Sequence, residues 1–381
     1  MTLEDLISSE NGVTFWKEFV FSNLKFKVPA GEVELADNLV WFGDFAIVMQ
    51  MKERETPTED PEKERKWFKQ KVLRDAKDQI KDSLGYLRQQ GAIEVGNARG
   101  HSIEVRHDEL RDIKSVILYK AGPALPPDSR SVQFYESANA GFIHIFAETD
   151  YRRVLTTLVA PEEVRCYLSY REASLRKLKA SGTRVAEGDV LGAYAFDEAL
   201  PAPSSHRRLT NLVAQDEPKA FSWVMGNLAD RIENPTGDAS YSKIMVEFAK
   251  LPRSIWRAAK ERLDLAIKHA KDDGFDRPYH FYFPETQCAF MITAIHPEAK
   301  AAGGAHRSAY LGTLTAAAKY LHKAPRAVGI QVSSAGNGDI MIDWCLMDDP
   351  WVQTTEMDKW LEESPFRPAR EKKIDGFLFK S

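Results

Sequence analysis

Glu34-Leu-Ala-Asp37-Asn-Leu-Val-Trp-Phe-Gly43-Asp44-Phe-Ala-Ile-Val-Met-Gln50-Met-Lys52 reads as two β-strands joined by a two-residue turn. Val, Ile, Phe and Trp crowd both flanks, as expected of strands. Gly43-Asp44 suits a tight hairpin turn, because glycine tolerates a positive φ at the first central position. That turn sets a register: Phe42 faces Phe45, and Asp37 lies opposite Gln50. Side chains alternate, so Asp37, Leu39 and Trp41 share a face with Ala46, Val48, Gln50 and Lys52. The face is apolar near the turn. At its open end a carboxylate, an amide oxygen and an ammonium converge. The residues by themselves leave two readings, a salt-bridged strand end facing solvent or a polar site.

An Asp, about a dozen residues containing a hairpin turn, then Gln-x-Lys closing an apolar strand resembles the PD-(D/E)xK nuclease superfamily, in its variant with Gln at the second acidic position. The resemblance covers the N-terminal third of the chain. It implies a restriction-endonuclease-like mixed sheet flanked by helices. It implies Asp37, Gln50 and Lys52 as catalytic residues, with Asp37 and Gln50 binding Mg²⁺ or Mn²⁺. In this superfamily the first helix often adds an acid to the metal site. A helix expected from Thr14 to Leu24 would offer Glu18 for that role, against the plainer reading of a surface Glu. Asp44 is nearer to Gln50 in sequence, but the register puts it at the turn, away from Lys52, and it is rejected as a ligand. Glu34 falls on the opposite face from Asp37 unless a bulge turns it inward.

After Lys52 a proline-interrupted polar loop leads into a long helix, expected from about Lys63 to Gln90. Phe68, Val72, Ala76, Ile80, Leu84 and Leu87 form its apolar stripe. The remaining faces are rich in Lys and Arg. Most of these charges read as i, i+4 pairs with interleaved acids. Docked beside the hairpin, the helix could still present Lys66, Lys69, Arg74 and Gln79 to nucleic acid. Strands are expected at Ala92–Val95, Ser102–Val105, Ile113–Tyr119 and Gly141–Ala147, the last carrying His144 as a core histidine. A helix starts at Pro161.

Composition sets the outer bounds. The 381 residues carry a net charge of −4, with 43% hydrophobic and 28% charged residues. That is ordinary for a globular protein of two domains, and it confines any nucleic-acid contact to a local basic surface. No apolar run has the length of a membrane span, and the N-terminus lacks a signal-peptide pattern. Three scattered cysteines form no zinc motif and fit a reducing cytoplasm. The expected organisation is a nuclease-like domain over 1–200, a Pro- and Gly-punctuated linker with short helices over 201–240, and a C-terminal α+β domain over 241–381. In that last domain helices are expected at 252–272, 305–322 and 355–363. Strands are expected at 279–283 and 289–295, followed by a hairpin turning at Asn337-Gly338. It carries no catalytic constellation, and the Gly-rich Ala301–His306 stretch reads as a plain loop.

The functional expectation is a Mg²⁺-dependent nuclease hydrolysing phosphodiester bonds, DNA being the expected partner and a homodimer the expected assembly. Restriction, repair or defence is the expected setting. The alternative is a degenerate nuclease fold serving as a nucleic-acid-binding or assembly module.

Overall fold

A computed structural model of the chain describes all residues except 29–30, 98, 212–215, 229, 231–240, 273, 276, 337–338 and 367–381. The fold is mixed α/β and divides into two compact units, Met1–Ile232 and Glu233–Leu378. The described residues between 201 and 230, part of the linker with short helices expected over 201–240, fall within the first of these units, where Trp16 donates to the Ser222 hydroxyl at 3.1 Å.

The first unit begins with α1 (Leu3–Thr14), capped by Thr2 and Asp5 in a reciprocal capping box. The chain then turns at Trp16, whose φ is +64°, and enters β1 (Val20–Val28). The helix expected over 14–24 is thus not formed. β2 (Gly31–Phe42) and β3 (Phe45–Glu53) make the anticipated hairpin. The two then pair from Phe42↔Phe45 to Asn38↔Met49, the register set by the turn, and Gly43 takes a φ of +58°.

One long helical run follows: α2 (Pro61–Trp67), a π-helical stretch (Phe68–Asp75) and α3 (Ala76–Gln90). The sequence explains the π stretch. On an α-helix a strict four-residue step advances about 400°, so a stripe at Phe68, Val72, Ala76, Ile80 and Leu84 would drift round the axis. Wider π turns keep it facing one way. All of these side chains, with Leu87, are buried against the sheet. Each of the larger ones contributes about 1.5–3 kcal/mol of burial free energy, and Ala76 less.

The remaining elements of this unit are β4 (Ala92–Gly96), β5 (Ser102–Arg106), β6 (Asp112–Lys120), α4 (Pro127–Arg130), β7 (Phe134–Ser137), β8 (Gly141–Ala147), α5 (Glu148–Thr157), α6 (Pro161–Ser181), α7 (Glu187–Ala195) and α8 (Asp216–Gly226). The main sheet runs β1-β2-β3-β6-β8-β7, while β4 and β5 pair only with each other. The central trio β3, β6 and β8 is parallel.

The second unit contains α9 (Tyr241–Ala249), α10 (Arg253–Lys271), β9 (Tyr279–Phe283), β10 (Cys288–Ala294), α11 (Pro297–Ala301), α12 (Gly304–Leu321), β11 (Arg326–Gly336), β12 (Asp339–Met347) and α13 (Thr355–Glu362). Its sheet order is β12-β11-β10-β9. Met291 packs with Leu311 and Leu314 of α12, and Phe290 with Phe248 of α9, so helices cover both faces. β11 and β12 pair as expected, and the Asn337-Gly338 turn lies outside the described residues.

Candidate functional site

The β2–β3 ladder ends at Asn38↔Met49. One residue further, the Asp37 carboxylate replaces a ladder carbonyl and accepts the Met51 N–H at 2.5 Å. Asp37 and Gln50 are both buried, at 6% and 1% exposure. The Oε1 atom of Gln50 has no hydrogen-bond partner among the described residues, an expensive state for a buried polar atom. Lys52 follows on the same face, half-buried, and makes no ion pair among the described residues. Gln50 and Lys52 lie at the carboxyl end of β3, beside Ile117 and Tyr119 of β6. In sheets with parallel strands that end is where ligands usually bind. Burial pushes the Tyr119 phenol up to about 12, so it stays protonated, and Phe68 packs edge-on against it at 5.1 Å.

Both faces of the hairpin are braced. On the far face the Tyr151 hydroxyl donates to Asn11 Oδ1 at 2.9 Å. Asn11 Nδ2 donates to Asn38 Oδ1 at 2.9 Å, and Asn38 Nδ2 to Ser22 Oγ at 3.0 Å. This chain of buried amides ties α1 and α5 to the residue next to Asp37. On the near face Glu64, fully buried, pairs with Arg54 at 3.0 Å and accepts the Gly122 N–H at 3.2 Å. Arg54 also lies over the Trp67 ring. The start of α2 is thereby stapled to the residues just after Lys52. Neither brace stood out in the sequence.

The structure does not bring Glu18 to the trio. Glu18 sits on a short 3-10 turn before β1, toward the turn end of the hairpin, where Phe19 packs on Phe42. It is buried in an ion pair with Arg99, and its main-chain carbonyl accepts the Asn97 amide at 3.1 Å. Asp44 is at the turn as expected, paired with Arg165 at 3.3 Å. A register shift in β1–β2 falls between the Ala36 and Glu34 pairs, but the Glu34 side chain lies outside the described residues.

Of the four expected nucleic-acid contacts, Lys66 and Lys69 are exposed and form no ion pair among the described residues. Arg74 is exposed but bonded to Asp75 at 3.0 Å, and Gln79 is exposed on α3. His144 is the core residue it was expected to be. Burial, then the nearby Arg171, hold its pKa well below the usual value.

Among the described residues no group of three or more His, Cys, Asp and Glu side chains is arranged to hold a metal ion, and no helix is long and apolar enough to cross a membrane. The fold and site define an α/β protein with a polar Asp-Gln-Lys trio at the carboxyl end of a central strand. Comparison of the chain with protein-family models, with curated proteins and with solved structures finds no match.

Proposed function

We propose that the first unit is a metal-dependent nuclease of PD-(D/E)xK type, hydrolysing phosphodiester bonds of DNA. The observation that carries the reading is the Gln50 Oε1 atom, buried and without a hydrogen-bond partner among the described residues, beside Lys52, which forms no ion pair among them. An orphaned buried oxygen is costly unless a ligand satisfies it. Asp37 and Gln50 together offer two hard oxygen donors, which suit Mg²⁺ or Mn²⁺. A divalent ion held there supplies an activated water and neutralises phosphate charge. Lys52 contributes an ammonium to orient that water and to stabilise charge on the pentavalent transition state. Lys66 and Lys69 contact the phosphate backbone, and the protein acts as a homodimer in the cytoplasm, in restriction, repair or defence.

One observation favours a second reading. Asp37 is the single carboxylate of the trio, and Glu18 is committed to Arg99. A nuclease fold that binds nucleic acid or a partner without cutting is compatible with so sparse a ligand set.

Incubation of supercoiled plasmid and single-stranded DNA with and without Mg²⁺ or Mn²⁺ separates the two. The enzyme reading predicts cutting that chelator abolishes. Retarded mobility on a gel with intact DNA at every metal concentration supports the binding module instead.

A further inference from the structure

At the opposite, amino end of β6 and β8 lies a cleft of about 630 Å³ that the trio does not use. Its volume falls in the range of small-molecule sites. Lys81 and Arg88 line one wall, seven residues and about two turns apart on α3. Both are exposed and form no ion pair among the described residues. His107 adds a third nitrogen group. Ser115, only 3% exposed, also lines the cleft. A hydroxyl there can donate to or accept from a ligand in the cleft. Leu84, Leu87 and Phe142 supply apolar surface beside these polar groups.

The cleft's one carboxylate does not cancel its charge. Glu172 pairs with Lys114 at 3.4 Å and with Arg176 at 2.8 Å. Nearby, Glu104, Asp108 and Glu109 are all drawn to Arg106. Among the described residues Lys81 and Arg88 are left as cations without an ion-pair partner beside a hydroxyl and an apolar wall.

We infer that this cleft binds a small phosphate-bearing molecule with an apolar body, of mononucleotide size, at a site separate from Asp37, Gln50 and Lys52. The phosphate takes the Lys81 ammonium, the Arg88 guanidinium and the Ser115 hydroxyl. The body lies against Leu84 and Phe142. A guanidinium fork and an ammonium are the groups proteins use for this recognition.

Calorimetric titration of the full chain in chelator tests this without interference from a metal at the trio. The probes are the four nucleoside monophosphates, inorganic phosphate, and adenosine as the uncharged control. The expected result is saturable binding of at least one nucleoside monophosphate, at least about tenfold tighter than adenosine. Lys81→Glu with Arg88→Glu, both surface substitutions, weakens it about tenfold or more, while Asp37→Asn leaves it unchanged. Absence of saturable binding by every phosphate probe up to about 10 mM overturns the inference. So does equal binding by the double variant, or loss of binding in Asp37→Asn. The outcome is independent of whether the trio cuts DNA.

Discussion

The Asp37 carboxylate accepts the main-chain N–H of Met51 at 2.5 Å, just past the last paired residues of the hairpin. A side chain thus takes over a ladder bond where the strands part, and it fixes the acid beside Gln50. A charge-assisted bond of this kind is stronger than a neutral one. Asp37 accordingly has a structural duty and a proposed chemical one, and substitutions can separate them. Asp37→Asn keeps an acceptor for Met51 and removes the charge, so folding is preserved and cutting is lost. Asp37→Ala removes both and costs about 1–3 kcal/mol as well. Urea unfolding beside a plasmid assay reads the two effects.

Gln50 offers the converse separation. Its Oε1 atom is buried without a hydrogen-bond partner among the described residues, so that oxygen stabilises the fold little. Gln50→Leu is expected to leave stability unchanged or to raise it by up to about 2 kcal/mol, while cutting falls at least about tenfold. Gln50→Glu places a second carboxylate beside Asp37 and lowers the Mg²⁺ concentration needed for half-maximal cutting. A clear loss of stability in Gln50→Leu would assign the residue a packing role.

Lys66 and Lys69 form no ion pair among the described residues, whereas Arg74 is held by Asp75. Lys66→Glu with Lys69→Glu should weaken DNA binding uniformly across sequences. It should also reduce the slope of log K against log salt by about 2. Arg74→Ala should change the slope by less. Fluorescence anisotropy at several salt concentrations measures both.

His144 makes the first unit acid-sensitive. Its Nδ1 lies 3.1 Å from Arg171, whose guanidinium pairs with the buried Glu187. Burial, and secondarily Arg171, lower the folded pKa of His144 from its ordinary 6.5. The unfolded chain therefore binds a proton that the native state refuses. This contribution is complete above pH 6.5 and is lost as pH falls below it, with a slope of at most about 1.4 kcal/mol per pH unit. His144→Asn keeps an acceptor for Arg171 without a titrating ring. Its unfolding midpoint should fall less steeply than that of the wild type between pH 6.5 and about 5.

The hairpin was legible because three local rules agree on it: the turn chemistry of Gly43-Asp44, the two-residue alternation and the β-branched flanks. The stripe on α2 and α3 was legible for the same reason, although its four-residue step carried a π-helical consequence that an α-helical reading overlooks. Residues 15–24 were not. Phe15, Trp16, Phe19, Phe21 and Leu24 have a spacing that either a helix or a strand can bury, and the positive φ at Trp16 decides the matter. Glu18 went with them. Its partner Arg99 is distant in the chain, and no local pattern announces such a pair. The cleft beneath β6 and β8 was equally silent, because Lys81, Arg88 and Ser115 meet only when α3 docks on the sheet.

The central claim is that Asp37, Gln50 and Lys52 cut DNA. Single-turnover cleavage of supercoiled plasmid in Mg²⁺ by the wild type and by Lys52→Ala, purified identically, tests it most directly. Lys52 is half-buried and forms no ion pair among the described residues, so its removal is expected to leave the fold intact. The account predicts metal-dependent cutting by the wild type and at least about a hundredfold slower cutting by the variant. Equal rates in the two proteins, or no cutting by either at any Mg²⁺ or Mn²⁺ concentration, would contradict it.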